Sequence, residues 1–206
     1  MDIAFATAGL LGFAPSIMII ALAIWMDSGR PIFFSQARLG EAGRHFQIYK
    51  FRKFRNDCDD GYGVTIKDDR RLTRMGRFLV ATKLDELPQL WNLLRGDMSM
   101  VGPRPESLKF ADCFANYREV LDYKPGIFGP NQYYFRDESL FYPEGFDPEQ
   151  FYRDVLFPLK AEIDLAYFPE RTIGADLGWI ARGILAVFGL RLTPTKFNAV
   201  LARWLS

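Results

Sequence analysis

The longest apolar stretch of the chain covers residues 3–26 and contains no charged side chain. A straight helix of this length reaches about 36 Å, which is enough to cross a hydrocarbon core about 30 Å thick. No Lys or Arg precedes the stretch and no cleavage signature is evident, which argues against a secretory signal peptide. The pattern predicts a membrane helix over residues 1–28 and a polar domain over residues 29–206.

Pro15 lies near the middle of this apolar stretch. Proline cannot donate a hydrogen bond to the carbonyl of Leu11 and its ring crowds that turn, so we expect a kink. A kinked helix can cross the bilayer, or it can dip in and return to the same face. The residues alone leave both alternatives open. Positive charge follows the stretch, which predicts that its C-terminal side is cytoplasmic.

Beyond residue 29 the pattern alternates in some segments and has helical spacing in others, which is typical of a small mixed α+β domain. The predicted strands are 31–35 and 45–51, around a turn at 40–43. The predicted helices are 72–80, a segment after Asp85, 177–190 and 194–205, and irregular loops are expected at 57–63 and 125–150. The last two helices carry apolar stripes, so either they lie flat at a membrane surface or they pack on the domain core.

The composition is consistent with one domain that contacts lipid. Of the 206 residues, 49% are apolar and 16% are aromatic, which is more than a solvated surface needs. Residues 38–78 contain eleven Lys or Arg and six Asp or Glu, which suits anionic headgroups or phosphorylated substrates. We expect no nucleic-acid partner. Cys58 and Cys113 lack metal-site spacing, and the single His45 is a weak candidate for a catalytic base.

The strongest candidate for chemistry is the adjacent carboxylate pair Asp85 and Glu86. If Asp85 begins a helix, Pro88 falls in the first turn, where proline costs little. The helix dipole then favours the Asp85 carboxylate and a phosphate nearby. A divalent cation such as Mg²⁺ could be held by this pair together with substrate phosphates. Taken alone, an Asp-Glu pair is a weak signal, since most such pairs cap surface helices.

Arg104 lies between Pro103 and Pro105. The two prolines restrict the backbone on both sides, and Pro105 biases Arg104 toward an extended conformation. A guanidinium held in this way is well placed for bidentate contact with phosphate oxygens. A structural salt bridge is the alternative, and the residues favour neither.

Together these features resemble the bacterial sugar transferase family, also called the monotopic polyprenyl-phosphate phosphoglycosyl transferases. The similarity covers most of the chain and keeps the order and spacing of the family's motifs. The matching segments are the apolar helix with Pro15 and residues 28–36, 38–40, 46–52, 72–78, 84–105, 124–127 and 164–167.

The resemblance implies a specific reaction. Such enzymes take a nucleotide-diphosphate sugar, usually a UDP-sugar, and polyprenyl phosphate, and they produce polyprenyl-diphosphate-sugar and UMP for surface glycans. Asp85 matches the family's nucleophile, which would form a phosphosugar-aspartyl intermediate. Glu86 matches its partner, and the resemblance groups both carboxylates around Mg²⁺.

The resemblance also implies a substrate-binding set and a location. Arg104 matches the phosphate-binding arginine, and the remaining expected substrate-binding residues are Lys50, Arg52, Pro103, Pro105 and Asp164. The family's proline-broken helix is re-entrant, which places the enzyme among membrane lipids at the cytoplasmic face of the inner membrane. A homodimer is left open.

The chain departs from the family's pattern at several positions. Relatives usually carry a basic residue where this chain has Val80, and the usual Lys-Phe-Arg-Ser-Met continues here as Lys53-Phe54. The segment that commonly reads Thr-Gly-Trp is Phe128-Gly129-Pro130. Val80 and the segment Phe128–Pro130 keep open the alternative of a catalytically weak, lipid-associated scaffold or binding protein. A soluble nucleotide-sugar enzyme is a third possibility.

Overall fold

The computed structural model describes residues 2–56, 69–187 and 189–190. The predicted loop at 57–63 and helix at 194–205 lie outside the described residues. The described helices are α1 (Asp2–Ser28), α2 (Arg74–Thr82), α3 (Gln89–Leu94), α4 (Pro130–Tyr134), α5 (Pro148–Phe151), α6 (Phe157–Tyr167) and α7 (Ile173–Val187). The described strands are β1 (Phe33–Leu39), β2 (His45–Phe51), β3 (Ser99–Val101) and β4 (Gly126–Phe128). This mixture confirms the predicted α+β class.

Two small sheets organise the domain. Strands β1 and β2 form an antiparallel hairpin in which Phe33 pairs with Phe51 and Leu39 with His45. Strands β3 and β4 form a parallel pair in which Ser99 is opposite Gly126. The hairpin was predicted, although β1 begins two residues later and runs to Leu39. The parallel pair was not, because β4 lies in the segment expected to be an irregular loop, which in fact contains β4, α4 and α5.

Helix α1 contains Pro15 and is one helix from Asp2 to Ser28, not two helices separated by a non-helical break. It is long and apolar enough to cross a membrane, and only 11% of its most apolar 18-residue window is buried. That low burial distinguishes α1 from the core helix of a soluble domain. The re-entrant path stays a prediction.

Both ends of α1 contact the rest of the domain. Near its start, Asp2 Oδ1 accepts a hydrogen bond of 3.2 Å from the backbone N–H of Met100, and Ala6 is fully buried. Near its end, Ile20 and Ile24 are buried with Phe51 and Leu79. Gly9 lies close against Leu90 of α3. Other side chains of the helix are exposed along its length, from Ile3 (64%) through Leu11 (74%) to Met26 (75%). One face of the helix is therefore held by the domain, and the rest presents apolar side chains.

The main core lies around α6, on the side of the domain that includes β3. Ile163 is fully buried there, and Phe157 packs edge-on against Phe114 at a ring distance of 4.8 Å. Helix α7 closes this core through Trp179, which is 3% exposed. The predicted helix at 177–190 is confirmed in part, since α7 begins four residues earlier and ends at Val187.

Candidate active site

The carboxylate pair lies on a sharp bend. Helix α2 ends at Thr82, and Lys83 adopts a left-handed backbone with φ 61°. A single 3₁₀ turn, Leu84–Glu86, follows, and α3 begins only at Gln89. The expectation that Asp85 begins a regular helix was therefore wrong: the left-handed residue redirects the chain, and Pro88 occupies the N-cap position of α3. The bend buries Asp85, which is 4% exposed.

Glu86 lies between two cations. Lys50 Nζ donates to Glu86 Oε1 at 2.8 Å, and Arg104 Nη1 lies 3.8 Å from the same oxygen. The Lys50 and Glu86 side chains are 14% and 16% exposed. The structure therefore brings together three of the predicted site residues, which are separated by up to 54 positions (50 to 104) in the sequence.

The charges of this cluster stabilise one another. Burial alone would raise the pKa of Glu86, but Lys50, Arg104 and Lys83 outweigh it and hold that pKa below its usual range. Burial likewise opposes the charge on Arg104, but Glu86, followed by Glu138 and Glu106, raises its pKa overall. Both groups are therefore ionised at neutral pH, and Arg104 presents a permanent positive charge.

Helix α3 is fixed to the hairpin by Asn92, which has no exposed surface. Its Nδ2 donates to the carbonyl of Gln47 at 2.7 Å, and its Oδ1 accepts from the N–H of Tyr49 at 3.1 Å. These bonds satisfy the backbone groups of β2 on either side of Ile48 and place Lys50 opposite the turn that carries Glu86. Asn92 thus helps to set the distance between Lys50 on β2 and Glu86 on the turn before α3.

A close crossing of two chain segments positions Arg104. A side chain at Gly102 would place a Cβ 2.1 Å from the carbonyl oxygen of Lys124, and one at Gly126 would come within 2.0 Å of the Gly102 nitrogen. Only glycine allows this approach. The Gly126 N–H donates to the carbonyl of Pro103 at 2.9 Å, and Gln132 Nε2 donates to both Gly102 and Gly126 carbonyls at 3.0 Å.

The cluster opens into a pocket with an excess of positive charge. Its lining residues are Arg38, Ile48, Lys50, Glu86, Gln89, Arg104, Pro105, Gly126, Ile127 and Gln132. Lys50, Glu86, Arg104 and Pro105 were predicted as site residues. Arg38, Gln89 and Gln132 were not. Arg38 falls in a segment that matches the family, but only the three-dimensional structure shows that it faces Arg104.

Asp85 is not among the residues that line this pocket. Its Oδ1 is shielded from solvent and has no hydrogen-bond partner within the described part of the chain. The charge of Asp85 acts on two neighbouring lysines, Lys53 and Lys83. Burial lowers the pKa of Lys53 to about 8, although Asp85 acts in the opposite direction.

The donor set around the carboxylate pair fits Mg²⁺ only in part. Over residues 2–56, 69–187 and 189–190, no group of three or more His, Cys, Asp or Glu is arranged to hold a metal. Mg²⁺ commonly takes one or two carboxylates and completes its shell with phosphates and water. The unpartnered Asp85 Oδ1 suits that role. Glu86 suits it less well, because Lys50 already holds its Oε1.

Arg52 makes its contacts with the end of α1. Its Nη2 donates to the carbonyls of Ser28 and Gly29 at 3.0 and 2.8 Å and to the Ser28 hydroxyl at 2.8 Å. A guanidinium at this position satisfies the last carbonyls of a helix and its negative dipole end. Arg52 does not line the pocket, so its contacts hold the helix to the hairpin.

Asp164 lies away from the pocket, on α6, and is 4% exposed. Burial raises the pKa of its carboxyl well above the usual value, and the hydrogen bond with Asn131 only partly offsets this. A separate charged cluster lies between Asp164 and Arg104. In it, Lys160 pairs with Glu138, and Tyr142 donates to Glu138 at 2.7 Å. The pKa of Glu138 falls to about 2, since Lys160 and Arg104 outweigh its burial.

Residues 1–189 match the model of the bacterial sugar transferase family. This chain belongs to that family.

Several curated proteins are similar to parts of the chain. A UDP-glucose:undecaprenyl-phosphate glucose-1-phosphate transferase of Xanthomonas campestris pv. campestris is 41% identical over 136 residues, which cover 62% of this chain and 28% of that protein. A UDP-N-acetylgalactosamine-undecaprenyl-phosphate N-acetylgalactosaminephosphotransferase of Aeromonas hydrophila is 39% identical over 63% of this chain and 32% of its own length. The exopolysaccharide production protein PSS of Rhizobium leguminosarum bv. phaseoli is 39% identical over 62% of this chain and 68% of its own length. The match thus spans a third or less of the first two relatives.

Proposed function

We propose that this protein transfers a sugar-1-phosphate from a nucleotide-diphosphate sugar, most simply a UDP-sugar, to polyprenyl phosphate. The products are polyprenyl-diphosphate-sugar and UMP. The observation that carries the proposal is the Lys50–Glu86–Arg104 cluster beside the buried Asp85. The names of two relatives, which specify UDP-sugar and undecaprenyl phosphate, support the substrate classes.

The proposed chemistry has two steps. An oxygen of Asp85 attacks the sugar-bearing phosphorus, and the bond from that phosphorus to the nucleotide's phosphate oxygen breaks. UMP leaves with the electron pair, and a phosphosugar-aspartyl intermediate remains. A phosphate oxygen of the polyprenyl phosphate then attacks the same phosphorus and releases the aspartate.

The cations provide the electrostatic part of this mechanism. An anionic nucleophile and an anionic diphosphate repel each other, so the site needs fixed positive charge around the reacting phosphorus. Lys50 and Arg104 supply this positive charge, and in the structure Glu86 Oε1 contacts both of their side chains. In this proposal Glu86 stands where phosphate oxygens bind, and the donor phosphates displace it from Lys50 and Arg104.

We include Mg²⁺ in the proposal, with Asp85 as its protein ligand and Glu86 as the second carboxylate. The metal, when bound, neutralises part of the charge on the diphosphate. The protein's own contribution is to exclude water from Asp85 and to hold the guanidinium of Arg104, whose side chain is 37% exposed, at the pocket.

For the membrane helix we propose a re-entrant path with both ends on the cytoplasmic face of the inner membrane. The support is that Asp2 and Ser28, at opposite ends of α1, both bond to the domain: Asp2 through Met100 and Ser28 through Arg52. A straight crossing would carry Asp2 about 30 Å away from the domain. The exposed apolar side chains of α1 would enter the lipid.

Helix α7 is proposed as an interfacial element. Ile173, Leu177 and Ile184 are 68%, 45% and 48% exposed and lie on the outside of the helix, while Trp179 faces the core. Exposed apolar side chains on a helix that is already anchored suit the boundary between headgroups and acyl chains. This arrangement would hold the pocket at the height of the polyprenyl phosphate headgroup.

The test is a UMP-release assay on the full chain in detergent, with undecaprenyl phosphate and a panel of UDP-sugars. We expect release with at least one sugar and none from Asp85→Asn. Turnover by Asp85→Asn equal to that of the wild type would remove Asp85 from the nucleophile role. Retained lipid binding without UMP release from any donor would favour the alternative, a lipid-associated scaffold, for which the burial of Asp85 is the supporting observation.

A further inference from the structure

Arg38 is held between the hairpin and the segment that follows Arg104. On one side of β1 it is paired with Phe46, and on the other it bridges to Ser107. The neighbouring N–H of Leu39 donates to the carbonyl of Glu106 at 3.0 Å. The backbone of Arg38 is therefore fixed on both edges, and its side chain lines the same pocket as Lys50 and Arg104.

The guanidinium of Arg38 has unused hydrogen-bonding capacity. Its Nη1 makes one long hydrogen bond, 3.4 Å to the carbonyl of Pro105. Its Nε is shielded from solvent and has no acceptor among the residues that the structure describes. Burial lowers the pKa of Arg38, and Glu106 only partly compensates. A buried donor without an acceptor is costly, and an anionic oxygen in the pocket would satisfy it.

The charged residues that line the pocket indicate which class of anion it binds. Arg38, Lys50 and Arg104 line it with three positive charges, and Glu86 contributes one negative charge. The side chains that line the pocket therefore carry an excess of two positive charges, which suits a phosphate or diphosphate group. Arg guanidinium groups bind phosphate oxygens through paired N–H donors.

Arg38 lies at the end of the pocket away from the carboxylate pair. Lys50 and Arg104 lie 2.8 and 3.8 Å from Glu86 Oε1, whereas Arg38 forms no ion pair with Glu86 within the part of the chain that the structure describes. Its side chain contacts the carbonyl of Pro105 instead. Lys50, in contrast, contacts Glu86 directly. Arg38 is thus the cation of the pocket that does not contact the carboxylate pair, which suits the phosphate of a bound diphosphate that is not under attack.

We propose that Arg38 binds the nucleotide-side phosphate of the donor and neutralises the charge that develops on the departing nucleoside monophosphate. This inference rests on the proposed function and deepens it. When Asp85 forms its bond to the sugar-bearing phosphorus, the electron pair of the broken P–O bond moves onto the oxygen of UMP. In the proposed complex Arg38 would contact that phosphate, whereas Lys50 and Arg104, which now contact Glu86, would contact the phosphate under attack.

The experiment titrates UMP and UDP separately into the full chain in detergent and measures binding by calorimetry. Arg38→Gln should weaken both ligands by about 10- to 100-fold, the range expected for a lost charged hydrogen-bonding partner. Arg44→Gln is the matched control, because Arg44 lies in the same hairpin with a 77% exposed side chain and should leave both affinities unchanged. Unchanged UMP affinity in a folded Arg38→Gln variant would overturn the proposal, as would weakening of UDP alone.

A second variant covers the case in which Arg38→Gln does not fold. Arg38→Lys keeps the charge but loses the paired donors, and we expect an intermediate loss of UMP affinity. Wild-type affinity in that variant, or no UMP binding by the wild-type protein, contradicts the proposal. UMP binding needs no turnover, so the result is separate from the UMP-release assay. If the wild-type protein binds UMP through Arg38 but releases none from UDP-sugars, the proposed reaction is contradicted and the proposed UMP contact of Arg38 is not.

Discussion

Lys50 Nζ lies 2.8 Å from Glu86 Oε1, and this ion pair joins strand β2 to the 3₁₀ turn that carries Asp85. Each partner has less than a fifth of its side chain exposed. A carboxylate held this closely by a lysine occupies the position that an anionic substrate would need. The Lys50–Glu86 pair therefore both holds β2 to the turn and lies where we expect the donor phosphates to bind.

Glu86→Gln should separate binding from turnover. Without the Glu86 charge, Lys50 and Arg104 are free to bind phosphate, so we expect tighter binding of UDP by calorimetry. Turnover should fall by about 100-fold or more, since the second carboxylate of the pair is lost. Weaker UDP binding in this variant would show that Glu86 does not compete with phosphate for the two cations.

Asn92→Leu should destabilise the domain mainly through two backbone groups of β2, and it also removes the 3.4 Å hydrogen bond from Asn92 to Asp97. The substitution leaves the Gln47 carbonyl and the Tyr49 N–H of β2 without partners, at a cost of about 2–4 kcal/mol. Thermal unfolding in detergent measures the change. Arg95→Gln, at the exposed end of α3, is the control and should cost less than about 1 kcal/mol. Equal stabilities of the two variants would remove Asn92 from its positioning role.

Arg52→Gln should loosen the junction between α1 and the hairpin. Three hydrogen bonds to Ser28 and Gly29 are lost, so the end of the helix becomes accessible. Limited proteolysis in detergent should cut residues 29–32 faster than in the wild type. Arg30→Gln, which alters an exposed neighbour, should not change the rate. An unchanged cleavage pattern in Arg52→Gln would mean that other contacts hold α1.

The titration of Lys53 should make the affinity for UDP depend on pH near pH 8. Burial lowers its pKa to about 8, so its positive charge, which acts on Asp85, disappears as the pH rises through that value. UDP affinity should therefore fall between about pH 7 and 9.5, and Lys53→Arg should keep it constant. A pH profile identical in the wild type and Lys53→Arg would assign the effect to another group.

The lowered pKa of Lys53 also makes the stability of the fold depend on pH. The unfolded chain keeps the Lys53 proton up to about pH 10.5, whereas the folded chain releases it near pH 8. In that window the unfolded state binds more protons, so the contribution of Lys53 to the free energy of unfolding increases with pH. Below pH 8 the buried charge is destabilising. The thermal midpoint of Lys53→Met, compared with the wild type at pH 7 and 9.5, measures this contribution.

Local signals made part of the fold predictable. The β1–β2 hairpin and helix α2 follow from short-range patterns, and Thr73 caps α2 by accepting the N–H of Gly76 at 2.8 Å. The parallel β3–β4 pair was not predictable in this way. Each strand has three residues, and the pairing joins Ser99 to Gly126 across a long intervening segment. Nothing in either segment alone marks it as a strand.

The residues of the candidate site likewise divide into those with a local sequence signal and those without one. Glu86 and Arg104 were recognisable from their immediate neighbours, and the resemblance to the family added Lys50. Arg38 reaches the pocket only because β1 bridges to Ser107, a tertiary contact with no local signal. Asp164 illustrates the opposite case, because a charged residue in a matching segment is buried against Asn131 and does not line the pocket.

Intact-protein mass spectrometry tests the central claim most directly. The full chain in detergent is exposed to a UDP-sugar with Mg²⁺ but without polyprenyl phosphate, then quenched and weighed. The account predicts a mass increase equal to one sugar-phosphate, release of UMP in equal amount, and loss of both in Asp85→Asn. An adduct that persists in Asp85→Asn, or UMP release that requires both substrates and leaves the protein's mass unchanged throughout, would contradict it.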